Sequence, residues 1–162
     1  MRQSEIRFIR QQGFTAIDPD HRLYVALMFQ PRTIAGVVTA GLVTQNPWVF
    51  LTLSAVLWWG TIFPTRSLFD AAFNRIVAYP RGLPPVPVAP APRRFAQAMA
   101  GTVALTIGTA LLLGSPLTAW IFEGLFAIAL TTVVLGQVCP PAMLYLRLTG
   151  TADAALSVPR RA

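Results

Sequence analysis

Apolar residues are concentrated in four long blocks, separated by segments rich in proline, glycine and arginine. The blocks predict membrane-spanning helices at 31–44, 48–63, 95–113 and 117–138. Short turns, Asn46-Pro47 and Gly114-Ser115-Pro116, join the first block to the second and the third to the fourth. The predicted fold is therefore an all-α, multi-pass transmembrane protein, with about four transmembrane helices arranged as two helical hairpins.

The first 30 residues are predicted to form a cytoplasmic or interfacial leader. Its apolar part, residues 23–29, is too short to cross a bilayer and is expected to lie at the membrane surface. Pro31 is expected in the first turn of the first membrane helix, because proline suits that position. The first transmembrane hairpin is therefore assigned to residues 31–64.

Residues 65–93 are predicted to connect the hairpins through an amphipathic helix and a proline-rich linker. Ser67 and Asp70 resemble a capping box that starts the helix. A position in the headgroup plane is favoured, and docking to a partner is the alternative. Six prolines within 80–92 predict extended backbone. The second transmembrane hairpin is assigned to 94–148, with Cys139-Pro140-Pro141 interrupting its second helix, and 149–162 to a cytoplasmic tail.

The composition supports a membrane location and an orientation. Hydrophobic residues make up 54% of the chain and charged residues 12%, about half the charged share of a soluble domain. All 13 basic residues are arginines, and they lie within 1–32, 65–94 and 147–162, with none in the hairpin turns. Both termini and the central linker are therefore predicted to be cytoplasmic. Because the arginines flank apolar blocks, lipid headgroups are the expected partners and nucleic acid is not.

Small residues recur at four-residue intervals in the third predicted membrane helix, and a weaker version occurs in the first. Such stripes let helices approach closely. The expected partner is another helix of this chain, and the alternative is a second protein. The predicted packing positions are Ala96, Ala100, Ala104 and Gly108, with Gly36 and Ala40 as the weaker pair.

Two side chains could carry chemistry within this apolar background. Glu123 lies about 9 Å into the fourth predicted helix, where a carboxyl group needs protonation or a partner. It is either a proton, cation or subunit-anchoring site, or a hydrogen-bonded structural residue. Cys139 is either a reactive thiol or a small apolar filler.

Other reactive sites are not predicted. With one histidine, His21, and one cysteine, the chain cannot assemble a zinc site from these residues. No histidine lies in a predicted span for haem ligation, and no phosphate loop, Ser/His/Asp set or paired carboxylates occur. The chain is therefore expected not to be an enzyme and not to hold a cofactor or metal.

One group of motifs resembles a family. A proline-rich linker, then Pro92-Arg93-Arg94-Phe95-Ala96-Gln97, then a hairpin closing on Cys139 followed by Tyr145 and Arg147, resembles an uncharacterised bacterial integral-membrane family known as a domain of unknown function. The likeness covers roughly residues 30–148. It implies four helices in a bacterial inner membrane and lends no established activity. Relatives tend to carry a second cysteine, but Ala142 occupies that C-x-x-C position here.

The leading functional prediction is a non-catalytic accessory, assembly or structural subunit. It would pack against a larger membrane complex, such as a respiratory or photosynthetic one. The alternative is a membrane thiol-redox protein or a small-solute or proton carrier that uses Cys139 or Glu123.

Overall fold

The computed structural model describes residues 1–152, and every regular element in that range is a helix. The α-helices are α1 (Gln3–Gln11), α2 (His21–Thr44), α3 (Pro47–Ile62), α4 (Leu68–Phe73), α5 (Ala91–Leu112), α6 (Pro116–Val134) and α7 (Pro140–Leu148). Helices α2, α5 and α6 are long and apolar enough to cross a membrane. Helix α3 is apolar and shorter, at 16 residues, or about 24 Å. The prediction of an all-helical, multi-pass protein is confirmed.

Four helices form a bundle in which each contacts its neighbours. Helix α3 packs along α5, α5 against α6, α6 against α2, and α2 against α3. The turns at 45–46 and 113–115 lie at one end, which we call the hairpin end. Helices α1, α4 and α7 and the proline-rich segment lie at the other, the linker end. The bundle core consists of buried apolar residues from all four helices: Ile34, Val38, Phe50, Leu53, Leu57, Ala104, Ile107 and Phe126.

The linker end has its own apolar packing. One cluster joins α1 to the beginning of α2, the end of α6 and the beginning of α7: Phe8, Ile9, Phe14, Tyr24, Leu27, Met28, Val133, Cys139 and Ala142. In a smaller cluster, Ala26 of α2 packs against Phe73 of α4 and against Ala78, which follows α4 along the chain. The first 30 residues are therefore packed into the fold and form part of a second layer at the linker end of the bundle.

Helix α2 begins ten residues earlier than the sequence pattern predicted. Residues 23–29 are not a separate surface segment, and Pro31 lies inside the helix instead of in its first turn. Asp20 caps the helix by accepting a hydrogen bond from the Leu23 N–H at 2.6 Å. Burial of one face, including Tyr24 and Leu27, stabilises the turns before Pro31. This tertiary packing outweighs the lost backbone hydrogen bond at the proline. Helix α2 therefore continues through residues 30 and 31 without a break.

The fourth membrane helix ends at Val134, four residues before its predicted end. Gln137 adopts a left-handed backbone conformation with φ of 55°. The N–H groups of Gln137 and Val138 donate to the carbonyls of Val133 and Thr132, which closes the helix end. Helix α7 then starts at Pro140, directly after Cys139. The predicted interruption of the helix is therefore present, but it begins after Val134 and not at Cys139.

The amphipathic segment turns part of its polar face inward. Helix α4 continues as a π-helical turn, Asn74–Ala78, and a 3₁₀ turn, Tyr79–Arg81. Ser67 accepts from the Asp70 N–H as predicted. However, the Asp70 carboxylate pairs with Arg93 and the Asn74 side chain accepts from the Val86 N–H. Ile76 is 69% exposed. The polar side therefore binds the rest of the protein.

Helices α3 and α5 pack closely because glycine removes side-chain bulk from their contact. A Cβ atom added at Gly108 would lie 2.7 Å from Cγ of Leu51 and 3.1 Å from the carbonyl oxygen of Pro47. The second contact is with backbone, which cannot rotate away. We expect Gly108→Val to destabilise the bundle by about 1–3 kcal/mol, measured as a lower midpoint of thermal unfolding in mild detergent.

The matched control is Gly124→Val in α6. A Cβ atom at Gly124 has nothing within 4 Å, and valine is a better helix former than glycine. This variant is expected to keep or raise the unfolding midpoint. Equal midpoints for the two variants would contradict the close contact between α3 and α5.

Candidate functional site

A buried arginine joins three elements at the linker end. Arg93 lies in the first turn of α5 and is 3% exposed. Its Nη2 donates to Oδ1 of Asp70 at 2.6 Å and to Oε1 of Gln30 at 2.9 Å. A guanidinium stays charged in proteins, so the Asp70 carboxylate supplies the counter-charge that a buried cation requires. The ion pair connects α4 to α5, and the Gln30 contact connects both to α2.

Gln97 extends this cluster by one helical turn. Its Nε2 donates to Oε1 of Gln30 at 3.1 Å, so the Gln30 oxygen accepts from two residues of α5. Within residues 1–152, Nη1 of Arg93 and Oε1 of Gln97 are buried without a hydrogen-bond partner. An unmade hydrogen bond at a buried polar atom costs about 1–3 kcal/mol. The cluster therefore has one unused donor and one unused acceptor.

The same two side chains line a partly open cavity of about 100 Å³. It lies where the bundle meets the linker-end layer, and its walls come from α1, α2, α3, α5, α6 and residues 139–141. Most of the lining is apolar: Phe8, Leu27, Pro31, Ile34, Leu57, Ala96, Ala100, Phe126, Ala129, Leu130, Val133 and Pro141. The polar lining residues are Gln12, Gln30, Arg93 and Gln97, with Cys139 beside them. The cavity thus combines an apolar wall with a small hydrogen-bonding region.

Cys139 lines this cavity from the junction between α6 and α7. The residue is 6% exposed, and its backbone N–H donates to Oε1 of Gln11 at 2.9 Å. Burial raises the pKa of the Cys139 thiol, while hydrogen bonds from the Ala142 backbone and the Gln12 side chain partly oppose that shift. A thiol with a raised pKa remains protonated at neutral pH and is a poor nucleophile. The position suits a small apolar wall residue.

Glu123 lies in the half of the bundle that is nearer the hairpin end. The residue is 5% exposed, and its two carboxyl oxygens lie 3.2 and 3.3 Å from Nε2 of Gln45. Gln45 ends α2 in a left-handed conformation with φ of 48°, and its side chain also donates to the Leu42 carbonyl at 2.9 Å. Glu123 therefore connects the end of α2 to α6 and does not line the linker-end cavity.

The predicted packing residues occupy two different environments. In α5, Ala104 and Gly108 are buried, and Ala96 and Ala100 are half-buried beside the cavity. In α2, Gly36 and Ala40 are exposed, and a Cβ atom at Gly36 has nothing within 4 Å. The expected packing at this weaker pair does not occur within residues 1–152. Gly41 fills that role, since its Cβ atom would lie 2.7 Å from Cζ of Phe50.

A groove lies between α2 and α6, and neither Gly36 nor Ala40 lines it. The groove has a volume of about 180 Å³ and is lined by Ala35, Val38, Thr39, Leu42, Ala127, Leu130, Thr131, Val134 and Leu135. The Thr39 and Thr131 hydroxyls donate to carbonyl oxygens one turn back in their own helices, each at 2.8 Å. Their hydrogen-bonding needs are therefore satisfied locally.

The sequence pattern did not predict the cluster around Arg93. The pattern predicts Arg93 as one of the arginines that flank apolar blocks and Asp70 as part of a capping box, with no contact between them. The available signal was Arg93 and Gln97 on one face of the same helix, four residues apart. This spacing alone does not identify the partners of Arg93, because Gln30 and Asp70 come from other elements and reach Arg93 only in the folded protein. Among residues 1–152, no group of three or more His, Cys, Asp or Glu side chains is placed to hold a metal ion.

Comparison with known proteins identifies one family. The family model described as "Domain of unknown function (DUF4395)" matches residues 26–149, more than half of the chain. No curated protein and no solved structure matches the chain.

The ion pair between Arg93 and Asp70 leads to a stability prediction. Asp70→Asn keeps the size of the side chain and removes the charge that compensates Arg93. Because removing one member of a buried pair leaves an uncompensated charge, we expect a loss of about 3 kcal/mol, measured by thermal or denaturant unfolding in mild detergent. Asp18→Asn, at an exposed position, is the control and should change stability by less than about 0.5 kcal/mol. Equal stabilities would contradict a structural ion pair.

The raised pKa of Cys139 leads to a reactivity prediction. Because only the thiolate is alkylated efficiently, iodoacetamide should modify the folded protein more slowly than the detergent-denatured chain. The rate should also keep rising up to about pH 9, above the usual thiol pKa. Mass spectrometry measures the modified fraction without ambiguity, since Cys139 is the only cysteine of the chain. Rapid modification of the folded protein at neutral pH would contradict this environment.

Proposed function

This chain belongs to the DUF4395 family, a domain of unknown function, and we propose that it is a non-catalytic accessory subunit of a membrane complex. It packs inside the bilayer against another membrane protein and supports assembly of that complex. The observation that carries the proposal is the groove between α2 and α6, with the small residues Ala35, Thr39 and Ala127 in its lining.

The groove suits a transmembrane helix from another subunit. Helices associate in membranes mainly through close packing, and small residues allow their backbones to approach. Gly36 and Ala40 lie one turn apart on the exposed side of α2, next to groove residues Ala35 and Thr39. Because Thr39 and Thr131 are satisfied by their own helices, the partner helix needs no polar group at this contact. Steric fit is the basis of recognition.

The proposed orientation places the linker end in the cytoplasm of a bacterial inner membrane. Described arginines outside the cavity cluster, such as Arg22, Arg66, Arg81 and Arg147, lie in or beside linker-end elements and are exposed. The hairpin turns contain no arginine. Such asymmetry favours cytoplasmic placement of the arginine-rich side, where these cations contact anionic headgroups. The predicted carboxyl-terminal tail beyond residue 152 lies outside the described residues.

The alternative function, a redox or carrier protein, receives less support from the geometry. A thiol-redox role needs a resolving thiol, and the chain has no second cysteine to supply one. A proton carrier would use Glu123, whose carboxyl group is held by the cap of α2 through Gln45. That contact suits a fixed link between two helices better than a group that changes partners during transport.

Site-specific photocrosslinking in native membranes tests the proposed docking groove. A photoreactive phenylalanine analogue at Thr39 should produce a discrete crosslinked product, because its side chain lies in the groove. The same analogue at Ala55, an exposed position on α3, is the control and should crosslink mainly to lipid. Adding Ala35→Leu should reduce the Thr39 product several-fold, since the larger side chain on the groove wall occupies the space that the partner helix needs.

The crosslinked product must then behave as a specific partner. Mass spectrometry should identify the same membrane protein in independent preparations, and Ala55→Leu should leave its yield unchanged. Crosslinking only to lipid from Thr39, or equal products from Thr39 and Ala55, would contradict the accessory-subunit proposal.

A further inference from the structure

We propose that the linker-end cavity is a binding site for a small uncharged molecule with an apolar body and a hydroxyl group. This inference goes beyond the proposed accessory function, because it concerns the linker-end cavity and not the groove between α2 and α6. It rests on the unpartnered polar atoms of Arg93 and Gln97, on the compensation of charge by Asp70, and on the apolar wall.

Arg93 and Gln97 offer complementary hydrogen-bonding groups at one side of the cavity. Nη1 of Arg93 is a donor and Oε1 of Gln97 is an acceptor, and neither has a partner among residues 1–152. Both side chains are more than nine-tenths buried and line the cavity. A hydroxyl group combines an acceptor and a donor on one oxygen atom. It can therefore accept a hydrogen bond from Arg93 or donate one to Gln97.

Charge compensation by Asp70 indicates that the ligand is neutral. The guanidinium already has a carboxylate 2.6 Å from Nη2, so the ion pair carries no net charge. An anionic ligand would introduce an uncompensated negative charge into an apolar site, which is unfavourable. A neutral hydroxyl group satisfies the remaining donor without that cost.

The remainder of the cavity suits an apolar body of limited size. Leu27, Ile34, Leu57, Phe126 and Val133 provide hydrocarbon surface from three helices. The volume is about 100 Å³, somewhat below the roughly 150 Å³ of an engineered apolar cavity that binds benzene. A single ring or a short branched alkyl group is therefore the expected scale. Phenol has this size, and its one hydroxyl group makes it a suitable probe.

Fluorine NMR of the full chain in lipid nanodiscs tests this inference. The probes are 4-fluorophenol and fluorobenzene, which differ only in the hydroxyl group. We expect saturable binding of 4-fluorophenol, seen as a shifted or broadened resonance that unlabelled phenol displaces. Fluorobenzene should bind roughly tenfold more weakly, because it leaves the polar atoms of Arg93 and Gln97 unpaired. 4-Fluorobenzoate should bind no more tightly than 4-fluorophenol.

Two variants identify the cavity as the site of binding. Ala129→Leu adds volume to the wall and should abolish the saturable signal of both neutral probes. The control Ala55→Leu adds the same volume on the exposed side of α3 and should leave binding unchanged. Gln97→Met removes the acceptor while keeping the side-chain length, and should reduce the preference for 4-fluorophenol without abolishing it, because the Arg93 donor remains. Circular dichroism confirms the helical content of each variant.

The wild-type comparison alone can overturn the inference, whatever the variants do. Absence of saturable 4-fluorophenol binding means that the cavity holds only water. Equal affinities for 4-fluorophenol and fluorobenzene mean that Arg93 and Gln97 do not recognise the ligand. Tighter binding of 4-fluorobenzoate contradicts a neutral ligand. Retained binding in Ala129→Leu places the site elsewhere and also overturns the assignment.

Discussion

A buried guanidinium needs a counter-charge and hydrogen-bond acceptors, and Arg93 obtains them only where three parts of the chain meet. Asp70 supplies the carboxylate from α4, and Gln30 supplies an amide oxygen from α2. The contacts of the Arg93 guanidinium therefore hold the amphipathic segment against the bundle. They also fix the position of α2 relative to α5 along the bundle axis. The cavity occurs at the same junction, so its polar lining follows from the contact that holds the two layers together.

The two layers are stabilised by different kinds of packing. Within the bundle, small residues such as Gly108 allow α3 and α5 to approach until backbone and side chain touch. At the linker end, large side chains such as Phe8 and Met28 fill the space among α1, α2 and α7. The boundary between these packing modes is less completely filled. The linker-end cavity lies at this boundary.

The groove and the cavity are two different surfaces, and each suits a different kind of ligand. The groove between α2 and α6 faces outward and presents small, locally satisfied side chains, which suits a partner helix. The cavity lies where the bundle meets the linker-end layer, and its lining residues Arg93 and Gln97 carry an unused donor and acceptor, which suits a small molecule. Leu130 lines both features, so a ligand in the cavity and a helix in the groove would contact opposite sides of one side chain.

The sequence by itself determined the helical class, the approximate helix positions and the places of the hairpin turns, because apolar length, proline and glycine act locally. It also predicted that Ser67 would start the amphipathic helix. It did not determine that α2 continues through Pro31, since burial of Tyr24 and Leu27 outweighs the local preference of proline. Nor did it determine that Asp70 faces Arg93 or that Gln97 lines a cavity. Those placements depend on residues 23 to 67 positions apart, and only tertiary structure brings such distant side chains into contact.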